Sequence, residues 1–301
     1  MRLRPTPVVA LALVVVFLVA VGGRTAVGQM AEPQIVPGPG TTYVALGDSY
    51  TAGPFIPMQT GSPEGCLRSD HDYPALAAAA LGVGTFRDIS CSGASTRHMY
   101  EPHGVTWGTN APQLSAVTPD TSIVSVGIGG NDIGFGEIVE RCSNPAPPPI
   151  GTPCRGYFNA DGVDRLSQRI AETAPKIATL LQNIHALAPD ALVFLVGYPV
   201  ILPHTGDGCW PVVPILPRDV RYLRAKHQEL NQMLADQAAA NGAFFVDAYV
   251  SSIGHDACQL PTVKWVEGAV PTSPAAPVHP NALGMEHVAG RLVDAIRAAE
   301  G

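Results

Sequence analysis

No C-x-x-C pair occurs among the six cysteines of this chain, which sets aside zinc-ribbon and thioredoxin-type sites. Charge is scarce as well: Asp, Glu, Lys and Arg make up 14% of the 301 residues, with a net charge of −7. No basic run follows the N-terminus, so nothing here resembles a nucleic-acid surface. The one long apolar run, 8–21, is shorter than the about 20 residues that a bilayer span takes. There is no internal repeat. Two familiar signatures each fail by one residue. Thr51 stands where a G-x-S-x-G elbow needs its last glycine, and Asp132 stands where a G-x-G-x-x-G loop from Gly127 needs one.

What is present begins with an export pattern. Arg2 and Arg4 precede the apolar run, and Ala26-Val27-Gly28 supplies small residues before Gln29. That reads as a signal peptide over 1–28, with an uncleaved envelope anchor as the alternative. Either way the remaining chain ends up outside the cytoplasm. A Pro/Gly-rich leader, 29–40, has little reason to pack, and the domain follows over 41–301. An even cysteine count in an exported chain favours a full set of disulfides, although spacing alone leaves the pairing open.

Five short apolar runs, 42–46, 85–90, 122–126, 191–196 and 243–246, have the continuous hydrophobicity of buried parallel strands. Helical periodicity alternates with them. Leu166, Ile170, Ile177, Leu181 and Ile184 mark one helix, which Pro175 is expected to restart or kink. Val220, Leu223, His227, Leu230 and Leu234 mark a second, and Val288, Leu292 and Ile296 a third. Alternation of this kind predicts a single-domain, three-layer α/β/α fold with a mainly parallel, flavodoxin-like sheet of five strands. Ligand sites in such sheets lie beyond the carboxyl ends of the strands. Three motifs follow the first three predicted strands within a few residues: Gly47-Asp48-Ser49-Tyr50, Cys91-Ser92-Gly93-Ala94 and Gly129-Gly130-Asn131-Asp132. A fourth, His279-Pro280-Asn281, lies before the last helix.

Each motif has an ordinary explanation when taken alone. Asp48 and Ser49 suit a helix N-cap, Gly93 suits a tight turn, and His279 is one of nine histidines. Together they supply a nucleophile, a base and two oxyanion donors, the parts needed for acyl transfer at an ester. In order and setting they resemble the SGNH (GDSL) hydrolase superfamily, over 49–281. Tyr50 departs from the leucine frequent after the serine and bears on the pocket wall.

The resemblance implies that Ser49 is the nucleophile and His279 the base, with an oxyanion hole from the Ser49 and Gly93 N–H groups and the Asn131 amide. Many members place Asp three residues before the histidine, where this chain has Ala276. Secreted actinobacterial relatives instead orient the imidazole with a backbone carbonyl from that position, so the Ala276 carbonyl is the expected partner, with Asp256 as a second candidate. The same resemblance implies pairing of cysteines that are neighbours in sequence, Cys66–Cys91, Cys142–Cys154 and Cys209–Cys258. It implies no metal and no organic cofactor. Val270, Ile133, Phe135, Tyr198 and Trp210 are candidate acyl-pocket residues. The expected protein is a secreted, monomeric serine esterase or lipase acting on an ester or acyl-lipid, with possible contact to the cell envelope or a membrane surface. Acyl transfer to a sugar or lipid hydroxyl, carbohydrate ester deacetylation, and envelope binding without catalysis are the competing readings.

Overall fold

In the computed structural model, which describes residues 37–299, strand β1 (Thr42–Gly47) is buried along its whole length. Its side chains alternate between two cores, as the two-residue repeat of a strand requires. Tyr43 and Ala45 face one, while Val44 and Leu46 face the other. The predicted signal, 1–28, and leader residues 29–36 lie outside the described residues. Those described form one compact unit, and no helix among them is long and apolar enough to cross a membrane.

After β1 the chain makes the one-turn helix α1 (Ser49–Ala52), a ribbon of β2 (Gln59–Thr60) with β3 (Arg68–Ser69), helix α2 (Tyr73–Leu81) and strand β4 (Thr85–Asp88). A second ribbon, β5 (His103–Val105) with β6 (Gly108–Asn110), leads to β7 (Ile123–Gly127). Helices α3 (Phe135–Cys142), α4 (Arg155–Phe158) and α5 (Arg165–Leu187) come next. Strand β8 (Leu192–Val196), helix α6 (Pro217–Ala240), strand β9 (Phe244–Val246) and helix α7 (Ala282–Ala299) complete the fold.

The main sheet runs β4-β1-β7-β8-β9, and every pair in it is parallel. Helices α2 and α7 cover one face, where Ala77, Leu81, Met285, Val288, Leu292 and Ile296 meet Tyr43, Ile123 and Phe194. On the other face α5 and α6 bring Ile170, Ile177, Leu181, Leu230 and Leu234 against Val44, Val124 and Leu195. Coverage on both faces is why the inner strands are apolar at nearly every position, the buried Ser125 of β7 being bonded to the Tyr43 hydroxyl at 2.6 Å. The predicted three-layer parallel fold is the observed one, with strand ends shifted by one or two residues. Helix α5 does not restart at Pro175; it runs unbroken for 23 residues. Its buried stripe supplies the packing that outweighs one missing backbone donor. All six cysteines are bonded, as Cys66–Cys91, Cys142–Cys154 and Cys209–Cys258.

Candidate active site

The carboxyl ends of β1, β4 and β7 converge on one edge of the sheet. Strand β1 ends in Gly47, where a Cβ would sit 2.1 Å from Thr51 Oγ1 and 2.7 Å from the Gly127 carbonyl. Only glycine fits so close an approach. Asp48 then caps α1, accepting the Tyr50 N–H at 2.9 Å. The N-cap role belongs to Asp48, which leaves the half-buried Ser49 at the first helical position with its hydroxyl free. Gly93 has φ +82°, a left-handed conformation that disfavours any side chain. Asn131 follows β7, and its amide Nδ2 donates to the Ala94 carbonyl at 2.8 Å. The Gly93 loop and Asn131 are thereby held side by side.

His279 arrives from the far end of the chain. Its Nε2 lies 2.8 Å from Ser49 Oγ, and its Nδ1 lies 2.8 Å from the Pro277 carbonyl. A carbonyl can only accept, so Nδ1 carries the proton and Nε2 presents a lone pair to the serine O–H. The carbonyl that faces the ring is that of Pro277, one residue further along than the expected Ala276. The Ala276 carbonyl accepts the backbone N–H of His279 at 3.2 Å, and this turn points it at the main chain rather than the ring. Asp256 is buried within its own loop, where it accepts the Cys258 N–H at 2.9 Å and the Gln259 amide at 3.0 Å. Pro280 precedes α7 rather than opening it. Asn281 is the cap, accepting the Gly284 N–H at 3.1 Å.

No sheet strand carries His279, so its loop is braced by polar groups. Lys264 and Glu267 form a buried ion pair at 2.6 Å. Glu267 also accepts from the Thr272 N–H at 2.7 Å and the Asn281 amide at 2.9 Å. Backbone bonds from Glu267 N to the His279 carbonyl and from Val278 N to the Gly268 carbonyl pin the loop at 2.9 and 3.2 Å. Val278 sits at φ +60°, a strained conformation for a β-branched residue. The Tyr50 hydroxyl donates to its carbonyl at 2.6 Å. The Tyr50 ring also packs 4.9 Å from the imidazole.

Burial holds the His279 pKa below its ordinary 6.5, opposed in part by the Pro277 hydrogen bond. Burial raises Asp48 to about 7, opposed by donation from Tyr198 and Tyr50 and assisted by the nearby Asp132 carboxylate. The Tyr198 hydroxyl donates to Asp48 at 2.6 Å and accepts from the Gly130 N–H at 2.8 Å. One chain of hydrogen bonds therefore couples the residue before Ser49 to the residue before Asn131.

A family model for the GDSL-like lipase/acylhydrolases matches residues 45–287. The chain belongs to that family. It is a carboxylic ester hydrolase. Among its relatives, Lipase 2 of Streptomyces coelicolor is 35% identical, with 92% of each chain covered. An esterase of Streptomyces scabiei is 30% identical, covering 71% of this chain and 72% of the relative. Two solved structures share the fold over 85% of this chain and 99% of their own. They are phospholipase A1 from Streptomyces albidoflavus, with TM-score 0.71 and 26% identity, and an extracellular lipase from Streptomyces rimosus, with TM-score 0.64 and 28% identity.

A cavity of about 310 Å³ opens beside Ser49 in this hydrolase. Three of the anticipated wall residues line it: Ile133, Phe135 and Tyr198. The other two do not. Val270 is 78% exposed, and Trp210 spends its indole N–H on the Asn144 carbonyl at 3.1 Å. Unforeseen walls come from Ile138 on α3, Val213 and Ile215 in the loop between β8 and α6, and Leu223 and Leu230 on α6. The only sequence signal for the last two was helical periodicity, which reads equally well as core. His227 also lines the cavity, and burial pushes its pKa down to about 4, so the ring is neutral at physiological pH. The neighbouring Lys226 amine is engaged by Asp164 at 2.8 Å and Glu229 at 2.6 Å. The cavity is thus a mainly apolar pocket whose lining includes Ser49 and Asn131. Among the described residues, no group of three or more His, Cys, Asp or Glu side chains is placed to hold a metal ion.

Proposed function

We propose that the chain is a secreted serine esterase or lipase that hydrolyses acyl esters through an acyl-enzyme on Ser49. The observation that carries the reading is the 2.8 Å contact of Ser49 Oγ with His279 Nε2 at the mouth of an apolar pocket. In this reading Ser49 Oγ attacks the ester carbonyl carbon while its proton passes to Nε2. The resulting oxyanion is met by the Ser49 and Gly93 N–H groups and by Asn131. One amide hydrogen of Asn131 is used by Ala94, and the second is left for the oxyanion. Collapse breaks the C–O bond, and His279 returns the proton to the departing alcohol. Water then attacks the acyl carbon, loses a proton to His279 and releases the carboxylic acid, restoring Ser49.

The Pro277 carbonyl would fix the tautomer, as the acid of a triad does, while stabilising the imidazolium less well. The site is therefore read as a Ser–His dyad. Apolar walls support an acyl chain as the pocket's ligand, in keeping with the phospholipase and lipase named above. All parts of the site come from one chain, so a monomer suffices. Export is supported by the pattern at 1–28, by three disulfides and by the extracellular relative.

Labelling with a fluorophosphonate probe, together with turnover of a nitrophenyl ester series, tests this directly. Wild-type protein should label at Ser49 and hydrolyse the esters. Ser49→Ala should do neither, with a loss of about 10⁶-fold in kcat. Near wild-type turnover in folded Ser49→Ala protein would falsify the nucleophile assignment.

A further inference from the structure

Three stretches of chain contribute the outer walls of the pocket. Residues 143–154 supply Ser143, residues 208–217 supply Val213, Pro214 and Ile215, and residues 268–278 supply Ala269, Pro277 and Val278. None of the three contains an Asp, Glu, Lys, Arg or His. They join into one rim. Asn144 N donates to the Pro214 carbonyl at 2.6 Å, and the Trp210 indole donates to the Asn144 carbonyl. The backbone at Gly268 packs so close to Val212 that a Cβ there would meet the Val212 carbonyl at 3.1 Å. The rim then turns apolar side chains outward, with Ile150 77%, Val212 54% and Val270 78% exposed. Two disulfides, Cys142–Cys154 and Cys209–Cys258, anchor it.

Exposed aliphatic side chains cost free energy in water, and scattered ones need no explanation. Here they share one uncharged rim around the mouth of the pocket. We propose that this rim docks the protein onto the surface of an acyl-lipid aggregate with neutral or zwitterionic headgroups, placing the pocket mouth against the acyl layer. The proposal rests on the acyl-ester reading above, which makes such an aggregate the source of the pocket's ligand. The absent charges select the kind of surface. With no cation on the rim and a net charge of −7 on the chain, nothing draws the protein to anionic headgroups, and insertion of apolar side chains supplies the binding. A rim fixed by disulfides and backbone bonds also has little conformational freedom left to lose on docking.

Vesicle sedimentation of Ser49→Ala protein, in which hydrolysis cannot intrude, reads the docking alone. Ser49→Ala should bind phosphatidylcholine vesicles, with no gain from added phosphatidylglycerol or from lowered salt. Adding Val212→Asp and Val270→Asp should weaken binding by at least about tenfold, because two apolar groups leave the interface and two charges enter it. Val212→Ser with Val270→Ser should give a smaller loss in the same direction. With Ser49 intact, the same rim variants should turn over a water-soluble nitrophenyl acetate as the wild type does, which shows a folded site. The soluble ester reads the esterase and the vesicles read the docking, so the two claims can fail separately. Unchanged vesicle binding in the Asp variants would overturn the rim proposal. So would binding that requires anionic lipid, or a solution dimer that the Asp variants dissociate, since a second copy would then be the occupant.

Discussion

Two buried carboxylates, Asp48 beside Ser49 and Glu267 beneath the His279 loop, are 1% and 0% exposed, yet their pKa values move in opposite directions. Burial raises Asp48 to about 7, because its partners are neutral donors, Tyr198 and Tyr50, and Asp132 adds like charge. Burial works on Glu267 as well, but the Lys264 ammonium, with the Thr272 N–H and the Asn281 amide, holds it below its ordinary 4.5. Loss of solvent disfavours both charges equally in kind, and the partner decides the outcome. The two halves of the site are therefore built on different physics. Ser49 hangs from a central strand and needs only a short neutral network. His279 rides a loop outside the sheet and is held by an ion pair.

Breaking the ion pair should have the largest effect. Glu267→Gln strands Lys264 in the interior and should cost about 3–5 kcal/mol of folding stability at neutral pH, read by denaturant titration. The wild-type contribution of Glu267 is present above about pH 4.5 and is lost as pH falls through its depressed folded value. The variant's deficit should shrink on acidification. A neutral-pH loss under about 1 kcal/mol would show that the loop does not depend on this brace.

Asp48→Asn should cost less, about 1–3 kcal/mol, since it leaves the Tyr198 hydroxyl facing an amide donor. Its pH dependence should run the other way. Asp48 has a raised folded pKa, so its contribution is fully present below 3.8 and is lost as pH rises through about 7. The Asp48→Asn deficit should therefore be greater at pH 5 than at pH 8. Parallel pH trends in the two variants would contradict the comparison.

Tyr50 joins the halves, since it follows Ser49 and holds the Val278 carbonyl. Removing that bond with Tyr50→Phe should lower kcat by about five- to tenfold, near 1 kcal/mol, with little change in KM. A rise in KM alone would make Tyr50 a pocket wall and nothing more.

The smallest effect sharpens the base side. In the proposed mechanism neutral His279 accepts the serine proton, and its pKa lies below 6.5. The acid limb of kcat/KM should fall below that value rather than at it. Asp256→Asn should leave both the limb and kcat/KM within a few-fold, because Asp256 is committed to Cys258 and Gln259. An orders-of-magnitude loss there would make Asp256 the acid of a triad.

The sheet and the positions of Ser49, Gly93 and Asn131 after three of its strands were legible because each rests on local chemistry. Apolar runs mark buried strands, and glycine marks a backbone that tolerates no Cβ. Other features had no local signal. Lys264 and Glu267 sit three residues apart, a spacing typical of a solvated surface pair, and only the folded loop buries them. Tyr198 is 150 residues from Asp48, so their bond exists only once β8 lies beside β7. The choice of Pro277 over Ala276 turned on which carbonyl a tight turn leaves facing the ring.

From the sequence alone came the parallel three-layer fold, the family, and the pairing of a serine with a histidine at the two ends of the chain. Periodicity and steric need are written residue by residue, so no neighbour is required to read them. Tertiary structure alone decided the pocket walls beyond Ile133, Phe135 and Tyr198, the opposite titration of two carboxylates and the joining of three uncharged stretches into one rim. Those depend on which helix face turns inward, and on which charges share a volume too dry to screen them.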